Sequence, residues 1–273
     1  MVREWAGRAA VAAVVAALLL GAAGGGAAHA EDPLPSPGIS PPGANDPACR
    51  PSSEHPDPVV LVHGTYGDMT VSWNLLSPLL RGLGYCVFAL DYGARGTGPI
   101  EGSAAQLGAF VDTVLSITGA PQVLIVGHSQ GGMMPREWMR FLGGASRVRG
   151  LVGLAPSNHG TTLFAARIGA DTGCDACGEQ IAGSSFLDRL NAGGDTLPGI
   201  DYTVIESVHD EVVTPYYSAF LRGPRVTDVT IQHLCPLEPV EHVGITNDPV
   251  ALQWVVDALD HGGRAEPGFR PVC

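Results

Sequence analysis

The sequence predicts an α/β fold with a mostly parallel central sheet of about six strands and helices on both faces. Short apolar runs rich in β-branched residues are typical of strands buried on both faces, and here they alternate with stretches of helical periodicity. The predicted strands are 58–62, 85–90, 123–126, 148–154, 202–207 and 228–234. The predicted helices are 72–83, 103–117, 130–142 and 249–259.

The first residues resemble an export signal. Arg3 and Arg8 precede an apolar run at 9–20, and Ala28-His29-Ala30 offers small residues where a signal peptidase cuts. A membrane span needs about 20 apolar residues, and this run is shorter. For this reason we interpret residues 1–30 as a cleaved signal peptide and not as an uncleaved membrane anchor. We therefore expect a secreted, extracellular protein.

The rest of the chain divides into a proline-rich segment and one domain. Residues 31–57 are rich in proline without an apolar period, which predicts a linker or an N-terminal strap. Residues 58–273 form the predicted domain. The alternation of strands and helices stops at 159–199, an insertion with one short predicted helix at 184–190. An insertion of this size either shapes or covers a site, or is a surface excursion.

The charge composition excludes several classes of function. The chain has 15 basic and 27 acidic residues, a net charge of −12, so it should repel nucleic acid. Every basic residue is arginine. The absence of lysine from the sequence excludes a lysine Schiff base, a P-loop lysine and a serine–lysine pair.

All six cysteines follow the predicted signal peptide, and an even number in an exported chain predicts disulfides. Six cysteines permit many pairings; our preferred set is Cys49–Cys86, Cys174–Cys177 and Cys235–Cys273. The Cys174-x-x-Cys177 spacing also occurs in zinc sites and redox motifs. Neither further ligands nor a strand leading into a helix is visible there, which favours a structural disulfide in a loop.

A serine motif lies between a predicted strand and a predicted helix. The pentapeptide 127–131, Gly-His-Ser-Gln-Gly, is common by chance in so glycine-rich a chain, but its position is specific. A strand–turn–helix arrangement holds the serine in a strained conformation above the carboxyl ends of the strands. Ser129 is therefore the predicted nucleophile, and the backbone N–H of Gln130 a predicted oxyanion donor. The alternative is a glycine-rich turn with an incidental serine.

The turn after the first predicted strand offers a second oxyanion donor. In Val62-His63-Gly64-Thr65-Tyr66-Gly67, the residue after Gly64 can present its backbone N–H. We choose Thr65, whose hydroxyl could add another donor. The alternative is an ordinary turn at the end of a strand.

A nucleophilic serine needs a histidine base that is oriented by a carboxylate. When such a serine follows a strand of an α/β sheet, the chain order is serine, then Asp or Glu, then histidine. Asp210 follows the predicted strand 202–207 and is the predicted carboxylate, with Glu206 and Glu211 as competitors.

His242 lies between the last predicted strand and the last predicted helix, and it is the predicted base. His233 falls inside that strand, and His261 follows the helix, too late for the usual loop. His63 and His128 flank the oxyanion donors and are expected to support the loops.

Together these motifs resemble a known family. The segments 62–65, 127–132, 210–215 and 241–242 are similar to those of secreted bacterial lipases and esterases of the class 2 type. These are compact α/β-hydrolases that include small Bacillus lipases and actinobacterial triacylglycerol lipases. The resemblance covers most of 58–259. The insertion 159–199, which the smallest members lack, departs from it and leaves open whether the site is lidded.

The resemblance implies an α/β-hydrolase fold and lipase or carboxylesterase activity on acyl esters. It implies a triad of Ser129, Asp210 and His242 and no cofactor, and we expect no metal site. We expect a monomer that acts on a lipid or another small ester and contacts a lipid interface transiently. One alternative is an acyltransferase or polyester depolymerase with the same triad. The other is a non-catalytic protein of this fold that binds a lipid or a cell-wall partner.

Overall fold

The computed structural model describes residues 38–273, and its centre is a sheet of six parallel strands. The predicted fold class is confirmed. In chain order the strands are β1 (Val59–Val62), β2 (Val87–Leu90), β3 (Val123–His128), β4 (Val148–Leu154), β5 (Asp201–Glu206) and β6 (Val226–Thr230). Across the sheet their order is β2-β1-β3-β4-β5-β6, so the direction of progression reverses between β1 and β3. In open α/β sheets ligands bind at such a switch point, beyond the carboxyl ends of the strands.

Helices cover both faces of the sheet. They are α1 (Met69–Ser72), α2 (Leu76–Gly82), α3 (Gly93–Gly96), α4 (Ile100–Thr118), α5 (Gln130–Phe141), α6 (Phe164–Asp171), α7 (Asp175–Glu179), α8 (Ser185–Asn191), α9 (Ile231–Leu234) and α10 (Pro249–Asp260). Since side chains alternate along a strand, Val59 and Leu61 pack with α2 and α10, while Val60 and Val62 pack with α4 and α5. Within residues 38–273, no helix is long and apolar enough to cross a membrane.

Two predicted elements were partly wrong. The predicted strand 228–234 ends at Thr230, and the helical turn α9 follows. Thr230 pairs with Glu206, the last residue of β5, so the residues beyond it lack a partner strand. His233 therefore lies in α9. The predicted helix 72–83 is two helices, α1 and α2, separated at the fully buried Trp73.

The insertion contains three helices, of which only α8 corresponds to a predicted helix. At eight residues, α6 is shorter than the stretch of about 11 residues over which helical periodicity is recognised, and its apolar residues Phe164 and Ile168 are exposed. The five-residue α7 is stabilised at its N-terminus by a cap and a disulfide. The Cys174 sulfur accepts a hydrogen bond from the Cys177 N–H, and the disulfide joins these residues, which lie in a capped helical turn and not in a loop.

The predicted signal peptide, residues 1–30, lies outside the described residues, and so does the start of the proline-rich segment. Residues 38–57 lie along the outer edge of the sheet. The Asn45 N–H donates to the Val87 carbonyl, and the Asn45 side chain exchanges two hydrogen bonds with the backbone of Ala89. Asn45 thus satisfies polar groups of β2 that an edge strand otherwise leaves open.

The three disulfides have the predicted pairing: Cys49–Cys86, Cys174–Cys177 and Cys235–Cys273. The first joins the segment before β1 to the start of β2. The last ties the residue after α9 to the final residue of the chain.

Removal of the Cys49–Cys86 disulfide by C49S/C86S should lower the free energy of unfolding by about 3–4 kcal/mol, because the bond closes a long loop in the unfolded chain, with a sequence separation of 37. The matched change C174S/C177S opens a loop with a separation of only 3 and should cost about 2 kcal/mol. Urea unfolding, followed by circular dichroism, measures both losses. Equal losses would contradict the loop-length argument.

Candidate active site

Ser129 lies in a sharp turn between β3 and α5. Its φ of 55° and ψ of −123° are strained for a residue with a side chain. The flanking glycines are required by close backbone contacts. A Cβ on Gly127 would lie 1.9 Å from the Gly131 carbonyl oxygen, and one on Gly131 would lie 2.2 Å from that of Val62. This is the geometry of a nucleophile elbow, which places the serine at the carboxyl edge of the sheet.

The turn after β1 packs against this elbow across the switch point. A Cβ on Gly64 would lie 2.9 Å from the Cβ of Ser129, so only glycine leaves room there. The next residue, Thr65, donates its hydroxyl proton to Oε1 of Gln130 at 2.8 Å. Within residues 38–273, the backbone N–H groups of Thr65 and Gln130 have no acceptor. Both amides are therefore free beside Ser129, whereas the Thr65 hydroxyl already has a partner.

His242 and Asp210 form a short hydrogen bond, with 2.6 Å between Nδ1 of His242 and Oδ2 of Asp210. The other carboxylate oxygen accepts the N–H groups of Val212 and Val213, at 2.7 and 2.8 Å. Burial alone would raise the pKa of Asp210, but the hydrogen bonds from His242 and these two amides outweigh it and lower the pKa. An ionised Asp210 holds the proton of the imidazole on Nδ1 and leaves Nε2 as an acceptor.

Ser129 and His242 line the same cavity, of about 530 Å³. Its wall is mainly apolar and includes Leu163 and Val213. In the described part of the chain, no hydrogen bond joins the Ser129 hydroxyl to the His242 imidazole. Such catalytic hydrogen bonds are often long in the absence of substrate and tighten when it binds.

The two neighbouring histidines hold the loops together. Nε2 of His128 lies 2.9 Å from the carbonyl oxygen of His242 and donates to it, which ties the elbow to the loop of the base. Burial lowers the pKa of His128 to about 3, so its ring is neutral. Nδ1 of His63 lies 2.8 Å from the Gly64 carbonyl oxygen, and its ring stacks on Tyr92. Burial also lowers the pKa of His63.

The competing residues do not hydrogen-bond to the His242 imidazole in the described part of the chain. Glu206 is fully buried at the end of β5, where its Oε1 accepts the N–H of Ser207. Glu211, His233 and His261 are exposed. Among the described residues, Asp210 is the carboxylate that contacts the His242 imidazole.

Gln180 makes a contact with this site that the sequence does not predict. It follows α7 in the insertion and is buried. Its Nε2 donates to Oγ1 of Thr65 and to the Ala176 carbonyl, both at 3.0 Å, and its Oε1 accepts from the Ser157 hydroxyl at 2.8 Å. No motif marks it, because its position depends on the fold of an insertion that lacks helical periodicity.

A six-stranded parallel sheet with a strained serine elbow after β3 defines an α/β hydrolase. Residues 56–255 match the family model described as lipase (class 2), and the chain belongs to that family. A triacylglycerol lipase of Pseudarthrobacter phenanthrenivorans is 35% identical over 85 residues. This match covers 29% of the present chain and 27% of the relative, about a quarter of its length.

Solved structures show the same fold at low identity. Lipase B of Aspergillus fumigatus has a TM-score of 0.71 and 20% identity, over 84% of this chain and 57% of that chain. The lipase BlEst2 of Bacillus licheniformis in its propeptide form has a TM-score of 0.61 and 18% identity, over 83% of this chain and 55% of that chain. The present chain thus matches little more than half of either structure.

Glu206→Gln should stabilise the protein increasingly as the pH rises. Burial and the nearby charge of Asp210 raise the pKa of Glu206 well above its ordinary value. The unfolded chain releases this proton near pH 4.5, whereas the folded protein retains it, so stability falls as the pH rises from the unfolded pKa towards the folded one. Glutamine does not ionise and should remove this loss, which amounts to about 1.4 kcal/mol for each pH unit that separates the unfolded pKa from the folded one.

Urea unfolding near pH 4, 6 and 8 measures the difference between the Glu206→Gln variant and the wild type. The same change at Glu211, whose side chain is exposed to solvent, is the control for the loss of one carboxyl group. A Glu206→Gln difference that stays constant with pH would contradict the raised pKa.

Proposed function

We propose that this chain is a serine hydrolase that cleaves carboxylic esters of fatty acids, as a lipase or carboxylesterase. Its triad would be Ser129, His242 and Asp210. The observation that carries the proposal is the 2.6 Å hydrogen bond between His242 and Asp210, beside a cavity that also receives the strained Ser129. Membership in the class 2 lipase family, and the triacylglycerol lipase among its relatives, support an ester as the substrate.

The proposed reaction uses each group for one task. Nε2 of His242 takes the Ser129 proton while Oγ attacks the ester carbonyl carbon, and Asp210 stabilises the imidazolium. The free N–H groups of Thr65 and Gln130 would bind the oxyanion. Collapse of this tetrahedral intermediate breaks the ester bond, and the alcohol leaves with the proton from His242. Water, activated by the same histidine, then releases the acid from the acyl-enzyme.

The cavity supports an uncharged acyl substrate. Its volume of about 530 Å³ suits a small ligand, and its wall is largely apolar. Two charged side chains, Asp68 and Arg95, line it, but they pair with each other at 3.3 Å. The cavity therefore offers apolar contacts to an acyl chain, and the charges of Asp68 and Arg95 compensate each other.

We also propose a transient contact with a lipid interface, through an apolar rim formed by Tyr66, Val71, Phe164, Ile168 and Val243. Tyr66, Val71 and Val243 line the cavity and are also exposed. Phe164 and Ile168 lie on α6, whose residues Ala165 and Ala166 line the cavity. Phe164 is 70% exposed and Val243 67%, so the rim presents apolar surface at the cavity mouth.

We also propose that the protein is secreted through an N-terminal signal peptide and acts as a monomer. The arginines and apolar run of residues 1–30 support a signal peptide, and the three disulfides suit an oxidising compartment.

Ser129→Ala should abolish the hydrolysis of p-nitrophenyl butyrate by the purified mature protein. Loss of the nucleophile should lower kcat by about 10⁴-fold or more, and covalent labelling by a fluorophosphonate probe should disappear. Ser116→Ala, at an exposed position on α4, is the matched control and should keep both properties. Wild-type protein without turnover, or turnover that survives Ser129→Ala, would refute the proposal.

The double change F164S/I168S should lower activity on emulsified long-chain triacylglycerol by about tenfold, because it removes apolar surface that would be buried at the interface. Hydrolysis of dissolved p-nitrophenyl butyrate should stay the same. The control L142S/V272S alters exposed apolar residues outside the rim and should leave both activities unchanged. An equal loss on both substrates, or no loss on the emulsion, would argue against the rim.

A further inference from the structure

We propose that Gln180 is a positioning residue, which orients Thr65 so that its backbone N–H can bind the oxyanion. The inference rests on the proposed function and assigns a role to the insertion. It starts from the side-chain contacts between Gln180, Thr65 and Gln130.

The orientation of the Gln180 amide is determined by its partners. The Ala176 carbonyl can only accept a hydrogen bond, so the atom 3.0 Å from it must be the nitrogen. The same nitrogen lies 3.0 Å from Oγ1 of Thr65 and donates to it. The amide oxygen accepts the hydroxyl of Ser157 at 2.8 Å. Gln180 therefore presents a donor, and not an acceptor, to Thr65.

This donor sets the direction of the next bond. With its oxygen already accepting from Gln180, the Thr65 hydroxyl gives its proton to Oε1 of Gln130, at 2.8 Å. The hydrogen bonds then run in one direction from Ser157 through Gln180 and Thr65 to Gln130, and such chains reinforce each other. They connect the two residues whose free backbone amides lie beside Ser129.

The turn that contains Thr65 has a strained backbone, which contacts from other segments stabilise. The next residue, Tyr66, has a φ of 61°, which is costly for an aromatic residue. Arg95 donates to the Tyr66 carbonyl at 2.9 Å and holds one side of the turn. Gln180 holds the other side, through the Thr65 side chain.

Gln180 is itself held firmly by the insertion. Its backbone carbonyl accepts the N–H of Thr161 at 2.9 Å, and its amide bonds to Ala176, which lies between Cys174 and Cys177 in the chain. The disulfide-bonded turn α7 thus reaches the oxyanion donors through one side chain. Because oxyanion donors act only at correct distances, a small displacement of Thr65 should lower kcat more than substrate binding.

Gln180→Glu tests the donor directly, since it replaces the amide nitrogen with an oxygen. Burial beside the Ala176 carbonyl should raise the pKa of this new carboxyl above its ordinary value, so that at about pH 5 it is protonated and can still donate to Thr65. Once ionised, it cannot donate, and it brings negative charge close to the oxyanion. With p-nitrophenyl butyrate, the ratio of variant to wild-type kcat should fall by about tenfold or more between about pH 5 and pH 9. KM should change by less than about twofold.

Gln122→Glu is the matched control. The Gln122 amide also donates to two carbonyls, those of Ser146 and Val148, but it lies at the start of β3, away from the cavity. The ratio of kcat for Gln122→Glu to kcat for the wild type should not vary with pH. A pH-independent ratio for Gln180→Glu would overturn the inference while the proposed function stands. A wild-type protein without turnover would overturn both.

A double-mutant cycle decides the matter if the glutamate variant does not fold. Gln180→Met keeps the bulk of the side chain without the donor, and Thr65→Val removes the hydroxyl but keeps the backbone N–H. If Gln180 acts through this hydroxyl, each change should lower kcat by about tenfold, and the double variant by no more than either one. Losses that multiply would show that Gln180 acts by another route.

Discussion

The close contact between the Ser129 elbow and the end of β1 is the constraint on which the candidate site depends. Gly131 lies so near the carbonyls of Val62 and His63 that no side chain fits, and a Cβ on Gly64 would lie only 2.9 Å from that of Ser129. Backbone in direct contact leaves little freedom for relative movement. The two amides that would bind an oxyanion therefore keep a fixed distance, because the strands that carry them are neighbours in the sheet.

Much of this could be predicted because it depends on local sequence. Apolar runs marked five of the six strands nearly to their ends, and the Gly-x-Ser-x-Gly pattern marks a turn whose glycines are set by contacts within it. The order serine, aspartate, histidine placed Asp210 and His242 on loops that the sheet brings together, and the structure joins them by a hydrogen bond. Of the residues that compete with them, Glu211, His233 and His261 are exposed, and Glu206 is buried next to Asp210.

What escaped prediction depends on contacts between distant segments. The strand at 228–234 was expected to continue because Val229, Ile231 and Leu234 are apolar, but the length of β5 decides where β6 ends. The helix α6 was missed because its eight residues are too few for helical periodicity to be recognised, and α7 because a disulfide and a cap hold its five residues. Gln180 also escaped prediction for this reason. It contacts Thr65, which lies 115 positions away in the sequence, and no sequence pattern links a glutamine to a threonine at that distance.

The pairing of Asn45 with β2 bears on how the protein can be produced and engineered. Without Asn45, the Val87 carbonyl and the Ala89 N–H and carbonyl would be open to the backbone of another molecule. A shortened chain that starts at β1 would thus have an unpaired sheet edge that is prone to aggregation. It would also lack the Cys49–Cys86 disulfide. The practical boundary for a recombinant catalytic domain lies before Asn45, although all the residues that line the cavity come later.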